Sequence, residues 1–230
     1  MLDPHTRTGP TPPNRPGPRS AYRAGMHTDD TPWDVLLIGG ASGLGKSRAA
    51  ALLAARHGAF TVEFDDVVAA LQAATTAATH PGLHLFAAAQ GAPGAAEETM
   101  GADRVLALQI ATARALDDAL LGVVRNRLTV DVPAIVEGDY LTPAAAARAG
   151  AEAAARGRRV RALFLHEDDP ARIAANYADR EPGLGLQHER AAVSARYSHW
   201  LATQAAAHAL PVLACRPYAT LPERLAAALT

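Results

Sequence analysis

Lysine is almost missing from this chain: of its 22 basic residues only Lys46 is a lysine, and the other 21 are arginine. Cysteine is as scarce, with Cys215 alone. Aromatic residues make up 5%, and the formal net charge is only −1 over 230 residues. No apolar run approaches the ~18 residues of a membrane span. Each scarcity excludes something. One cysteine builds neither a disulfide framework nor a cysteine zinc cluster. Balanced charge leaves no electrostatic footprint for nucleic acid. Without a spanning run, and without an apolar h-region at the N-terminus, the expectation is a cytoplasmic protein with no membrane and no nucleic acid as partner.

The surviving lysine has a particular address. It lies in Gly40-Ala41-Ser42-Gly43-Leu44-Gly45-Lys46-Ser47, which fits G-x-x-x-x-G-K-[ST]. At a solvated surface arginine replaces lysine easily. Inside a tight loop around phosphate it does not, because an ammonium is a compact point charge and a guanidinium is a broad plane. The apolar run Asp34–Ile38 precedes the loop and reads as a buried parallel strand. An alanine- and leucine-rich stretch follows to His57, with Gly58 as its C-cap, and reads as a helix. In this setting the backbone N–H groups of residues 41 to 47 are expected to cradle phosphates. Lys46 is expected to reach the β- and γ-phosphates, and the Ser47 hydroxyl to ligate Mg²⁺.

Residues 1 to 31 are of another kind. Pro4, Pro10, Pro12, Pro13, Pro16 and Pro18 crowd a stretch with almost no large aliphatic side chains, and such a segment is expected to form a disordered tail. Residues 32 to 230 are expected to form one domain. Strands are expected at 35–38, 60–64, 134–136, 160–165 and 211–214. Helices are expected between them: 67–78, one long helix at 102–127, 143–156, a region at 170–208 interrupted near Pro182-Gly183-Leu184-Gly185, and 221–229. Residues 89 to 101, with Gly91, Pro93 and Gly94, read as loop. Alternating strands and helices argue for an α/β fold, a parallel sheet with helices on both faces. In such sheets ligands bind beyond the carboxyl ends of the strands.

That rule selects the candidate residues. Asp65 and Asp66 follow the second strand and are suited to serve as general base for a substrate hydroxyl or to support the metal; an N-cap role is the plainer alternative. Glu137 ends the third strand, where a carboxylate can hold Mg²⁺ or its water, with Asp139 ranked behind it. Arg172, Arg180, Arg190 and Arg196 flank the turn at 182–185, and arginines on a mobile lid can meet the charge on a transferring phosphate. Arg180, nearest the turn, is the first choice. His80 and His84 are weaker candidates. The acids at 167–169 before Pro170 are better explained as a helix cap than as metal ligands.

The order of phosphate loop, aspartate after strand two, acidic end of strand three, arginine-bearing lid and Cys215-Arg216-Pro217 after strand five resembles the small P-loop kinases: the shikimate kinase, gluconate kinase, 2-phosphoglycerate kinase and zeta-toxin groups. The resemblance covers residues 33 to 229, and only Gly40 to Ser47 is highly specific. It implies the P-loop NTPase three-layer fold with sheet order 2-3-1-4-5 and a helical lid over about 170–196, ATP as donor, Mg²⁺ as cofactor, Arg216 on the nucleotide side, and a small-molecule substrate between the strand-two aspartate and the lid. Asp66 resembles the hydroxyl-contacting aspartate of shikimate kinases, although Phe64 stands where their first aspartate would be. Glu137-Gly138-Asp139-Tyr140-Leu141 departs from the Asp-Gly-Phe-Pro-Arg of nucleoside monophosphate kinases, which weighs against such a substrate. The expected function is an ATP-dependent kinase of a small hydroxylated metabolite, the alternative an ATPase or nucleotide switch acting on a protein partner. With Lys46 the sole lysine, the Asn-Lys-x-Asp of guanine recognition is absent. The chain is also too short for the added helical domain of an AAA+ motor. The acceptor and the oligomeric state are not legible.

Overall fold

The computed structural model describes residues 31 to 90 and 100 to 229. Five parallel strands form one sheet in the order β2-β3-β1-β4-β5. They are β1 (Val35–Gly39), β2 (Phe60–Glu63), β3 (Ala134–Gly138), β4 (Val160–His166) and β5 (Val212–Ala214). The helices are α1 (Lys46–His57), α2 (Phe64–Ala74), α3 (Leu85–Gln90), α4 (Ala102–Ala115), α5 (Asp117–Arg127), α6 (Pro143–Ala154), α7 (Pro170–Arg180), α8 (His188–Ala207) and α9 (Leu221–Ala228). β1 is central because it is apolar throughout and buried at every residue, as a strand covered on both faces must be. It pairs with β3 and β4 so that Gly39 stands level with Gly138 and Phe164, and Ile38 with Glu137. Glu63 of β2 is level with Glu137 in turn. This register brings the carboxyl ends of the three strands to one edge. Gly39 is required there, since a Cβ would lie 2.3 Å from the Phe164 ring.

One large core covers the sheet. A second small cluster, Ile173, Ala174, Tyr177, Ala191 and Ala195, joins α7 to α8. The Tyr177 hydroxyl bonds the Ser194 hydroxyl at 2.8 Å inside this pair. Asp169 caps α7, accepting from the Ala171 N–H at 2.9 Å, and Pro170 takes the first helical position, where its missing N–H costs nothing.

Three local expectations change. Strand two stops at Glu63, and helix α2 begins at Phe64 rather than at 67. Phe64 is fully buried and anchors that start, and Asp65 and Asp66 in the first turn complement the helix dipole. The helix expected at 102–127 is two helices, broken where the Leu116 N–H bonds Ala113 O three residues back. Residues 89 and 90 belong to α3 rather than to a loop. Gly91, Pro93 and Gly94, like the tail through residue 30, lie outside the described residues.

Candidate functional site

The phosphate loop takes its shape from glycine. Gly43 and Gly45 both have φ 82°, a left-handed conformation that a side chain resists. A loop so shaped at a helix N-terminus offers N–H groups of the kind that bind anions. The loop is braced from behind. Asn176 Nδ2 donates to Gly43 O at 2.8 Å and to the Tyr218 hydroxyl at 2.7 Å. A Cβ on Gly45 would come within 3.1 Å of the Tyr218 ring, and one on Gly43 within 3.0 Å of Tyr177.

Lys46 is the first residue of α1 and only 6% exposed. Its ammonium donates to Ala41 O at 3.0 Å and to Asp139 Oδ1 at 2.5 Å. Burial alone would lower its pKa; the charge and hydrogen bond of Asp139, with Glu137 and Asp65 behind it, outweigh that and hold it above the ordinary value. Asp139, ranked second on sequence, is thus the direct partner of Lys46. Its backbone N–H donates to Asp65 Oδ1 at 3.2 Å, and its carbonyl accepts from the Tyr197 hydroxyl at 3.0 Å. Glu137 is 3% exposed. Desolvation pushes its carboxyl up, while the hydrogen bond from Ser47 and the charge of Lys46 pull it down.

Asp65, although open to solvent on one side, is pushed up to about 6 by desolvation first and by the Asp139 carboxylate second, against the pull of Lys46. A carboxyl poised there beside a phosphate loop suits a general base. Asp66 is placed differently. One residue on is about 100° round a helix, and Asp66 is exposed and has no part in the charges acting on Lys46. The aspartate that faces the loop is Asp65.

The arginines sort in the same way. Arg180 pairs with Glu181 at 2.5 Å and lies 5.4 Å from the Tyr177 ring centroid, at the end of α7. It does not line the cavity beside the loop. Arg190 does: its guanidinium lies 4.2 Å from the Tyr177 centroid, it pairs with Glu181 at 2.9 Å, and it borders a cavity of about 830 Å³ with Ser42, Asp139 and Tyr140. Arg172 is held by Asp169 and Glu167, and Arg196 by Asp103. Arg216 stands on the opposite flank of the loop, donating to Asn176 Oδ1 at 2.9 Å and 4.9 Å from the Tyr218 ring centroid. His84 bonds the Thr75 hydroxyl at 3.0 Å, away from this group.

Asn176, Tyr197 and Tyr218 carried no signal in the sequence, because each owes its role to a helix or turn folding back onto the loop. For Mg²⁺ the donor set is a hydroxyl, Ser47, hydrogen-bonded to a carboxylate, Glu137. That fits a hard cation that keeps most of its waters and takes few protein oxygens. Among the described residues no cluster of three or more histidine, cysteine or acidic side chains offers an all-protein cage.

The geometry is a strand–glycine loop–helix unit facing the acidic ends of β2 and β3. The family model described as an AAA domain matches residues 35–206. The chain belongs to this P-loop kinase-like AAA family. The described residues hold one sheet with its helices. Among solved structures the chain is similar to a gluconokinase from Sinorhizobium meliloti 1021, at 17% identity and a TM-score of 0.48, over 86% of this chain and 91% of that one. No curated protein matches the chain. The P-loop kinase-like fold implies nucleotide binding, and among the described residues no helix is long and apolar enough to cross a membrane.

Proposed function

We propose that this AAA-family chain is an ATP-dependent phosphotransferase that moves the γ-phosphate of ATP to a hydroxyl of a small metabolite, with residues 32 to 230 acting as one kinase-like domain whose lid spans about 170–196. The observation that carries the reading is the cluster at the strand ends. One ammonium, Lys46, sits among Asp139, Glu137 and Asp65, with the phosphate loop on one side and a cavity of metabolite size on the other.

The chain's own groups divide the work. Lys46 moves from Asp139 to the β- and γ-phosphate oxygens, exchanging one anionic partner for another. The loop N–H groups hold the phosphates in place. Ser47 and Glu137 would hold Mg²⁺, which would supply charge neutralisation at the phosphate oxygens. Asp65 accepts the proton of the acceptor hydroxyl as its oxygen bonds phosphorus and the bond to the ADP oxygen breaks. Arg190 offers its guanidinium to the equatorial oxygens, and Arg216 flanks the nucleotide.

The test is ATP consumption over a panel of hydroxylated metabolites against a blank without acceptor, with Lys46→Arg as control. Acceptor-dependent turnover, lost in the variant, is expected. Turnover that no acceptor stimulates would replace this reading with an ATPase acting on a protein partner.

A further inference from the structure

The cavity beside the phosphate loop is built unevenly. Ser42 and Asp139 bring one end of it to the reacting groups. The walls further out are mostly hydrocarbon, Phe86 and Ala89 from α3, Val105 from α4, Ala192 and Val193 from α8, with Gln109, Tyr140 and Glu189 as the polar side chains among them. Of the polar groups along α8, the Ser194 hydroxyl is already taken by Tyr177, Arg190 bonds Glu181 and Gln187 and is assigned to the transferring phosphate, and Glu189 is exposed to solvent.

These walls bear on the acceptor. A sugar acid or polyol carries a hydroxyl on nearly every carbon. Each one buried without a partner forfeits its hydrogen bonds to water; phenylalanine, alanine and valine return none, and Gln109, Tyr140 and Glu189 are too few to meet a hydroxyl on every carbon. An apolar body of the same size gains from every methylene it removes from water. At about 830 Å³ the space is also larger than a six-carbon sugar needs and falls in the range that encloses a drug-sized ligand.

We infer that the acceptor is an amphipathic alcohol: one hydroxyl brought in at the Ser42 and Asp139 end of the cavity, where Asp65 accepts from the Asp139 N–H, and an aromatic or aliphatic body seated against Phe86, Ala89, Val105 and Val193. This rests on the phosphotransferase reading for the role of the hydroxyl, but the seat for the apolar body stands on the cavity alone.

The experiment uses the full chain with Mg²⁺ and a non-hydrolysable ATP analogue, and 1-naphthylmethanol as probe against D-gluconate and glycerol, followed by calorimetry and saturation-transfer NMR. Naphthylmethanol is expected to bind saturably and at least tenfold more tightly than either polyol. In a series of phenyl-substituted primary alcohols, Kd is expected to fall by about fourfold per added methylene. Val105→Asp is expected to weaken the probe by tenfold or more, and Val105→Ser by less, with analogue affinity as the control for folding. Absence of saturable naphthylmethanol binding, tighter binding of a polyol, or indifference of the probe to both Val105 variants overturns the inference. Analogue binding that is absent, or unchanged in Lys46→Arg, strikes the phosphotransferase reading instead and leaves the apolar seat standing if the probe still binds.

Discussion

At the scale of single residues, the site is a problem of shared charge. Lys46 is buried, so it is stable as an ammonium only because Asp139, Glu137 and Asp65 surround it. Arginine in its place keeps the charge but needs a broader space, between Ala41 O and Asp139. Lys46→Arg is therefore expected to abolish nucleotide binding, read by calorimetry with ATP and Mg²⁺; wild-type affinity would refute the phosphate-loop assignment. Asp65→Asn is expected to keep ATP affinity within a few-fold while lowering phosphoryl transfer by ~10²–10⁴, the usual contribution of a general base. Asp66→Asn, off the site face, is expected to change turnover far less. Asp65 also predicts a pH effect. Its carboxyl is raised from an ordinary 3.8 to about 6. Between these values the folded protein holds a proton that the unfolded chain has lost, so this group costs stability as pH rises through 6 and nothing below 3.8. Asparagine never ionises and keeps an oxygen for the Asp139 N–H. The variant should melt higher than the parent at pH 7 and no higher near pH 4, by calorimetric scans of the nucleotide-free protein. A constant difference across that range would assign the effect to packing.

Among the elements, α7 and the first half of α8 stand apart, while Tyr197, Leu201 and Ala205 tie the rest of α8 into the main core. α7 and that first half share a small core of their own, separate from the one under the sheet. A unit with its own few contacts opens at lower free energy than the sheet does. Hydrogen exchange in residues 170 to 196 should therefore be faster than in β1 and β3 without ligand, and should slow when nucleotide and acceptor are both present. Tyr177 ties the pair together, fully buried with its hydroxyl on Ser194. Tyr177→Ala is expected to destabilise that pair by ~3–5 kcal/mol, the range for deleting a buried aromatic, and exchange in β1 should change much less. Arg190→Ala is expected to lower turnover more than Arg180→Ala, because Arg190 borders the cavity and Arg180 is turned to Glu181. Equal effects would mean that the lid's charge acts as a whole and not through one side chain.

For the whole molecule, stability rests on the sheet and the helices that cover it. Trp33 precedes β1, is 2% exposed and meets the His57 ring edge-on at 5.5 Å, so it closes the core where α1 ends. Trp33→Ala is expected to cost ~3–5 kcal/mol, read by urea denaturation. Removing residues 1 to 25, whose composition offers little to bury, is expected to leave both the melting temperature and turnover unchanged; a drop in either would show that the segment docks.

The sequence by itself determined the class of the molecule. A buried apolar strand, a glycine loop with the one retained lysine and a helix closed by glycine are local features, set by backbone freedom, hydrophobic period and charge, and they stand where expected. Strand order 2-3-1-4-5 followed from resemblance and is the order found. What the chain could not state was which side chain faces which. Asp65 and Asp66 are equivalent in composition and differ only by their angle about α2, which Phe64 fixes by burying itself. Glu137 and Asp139 take different partners because the β1–β3 register seats one behind Ser47 and the other on Lys46. Arg180 and Arg190 flank the same turn, and only the packing of α8 against the cavity separates them. These choices depend on contacts between residues as much as 93 positions apart, for which local propensity and spacing carry no information.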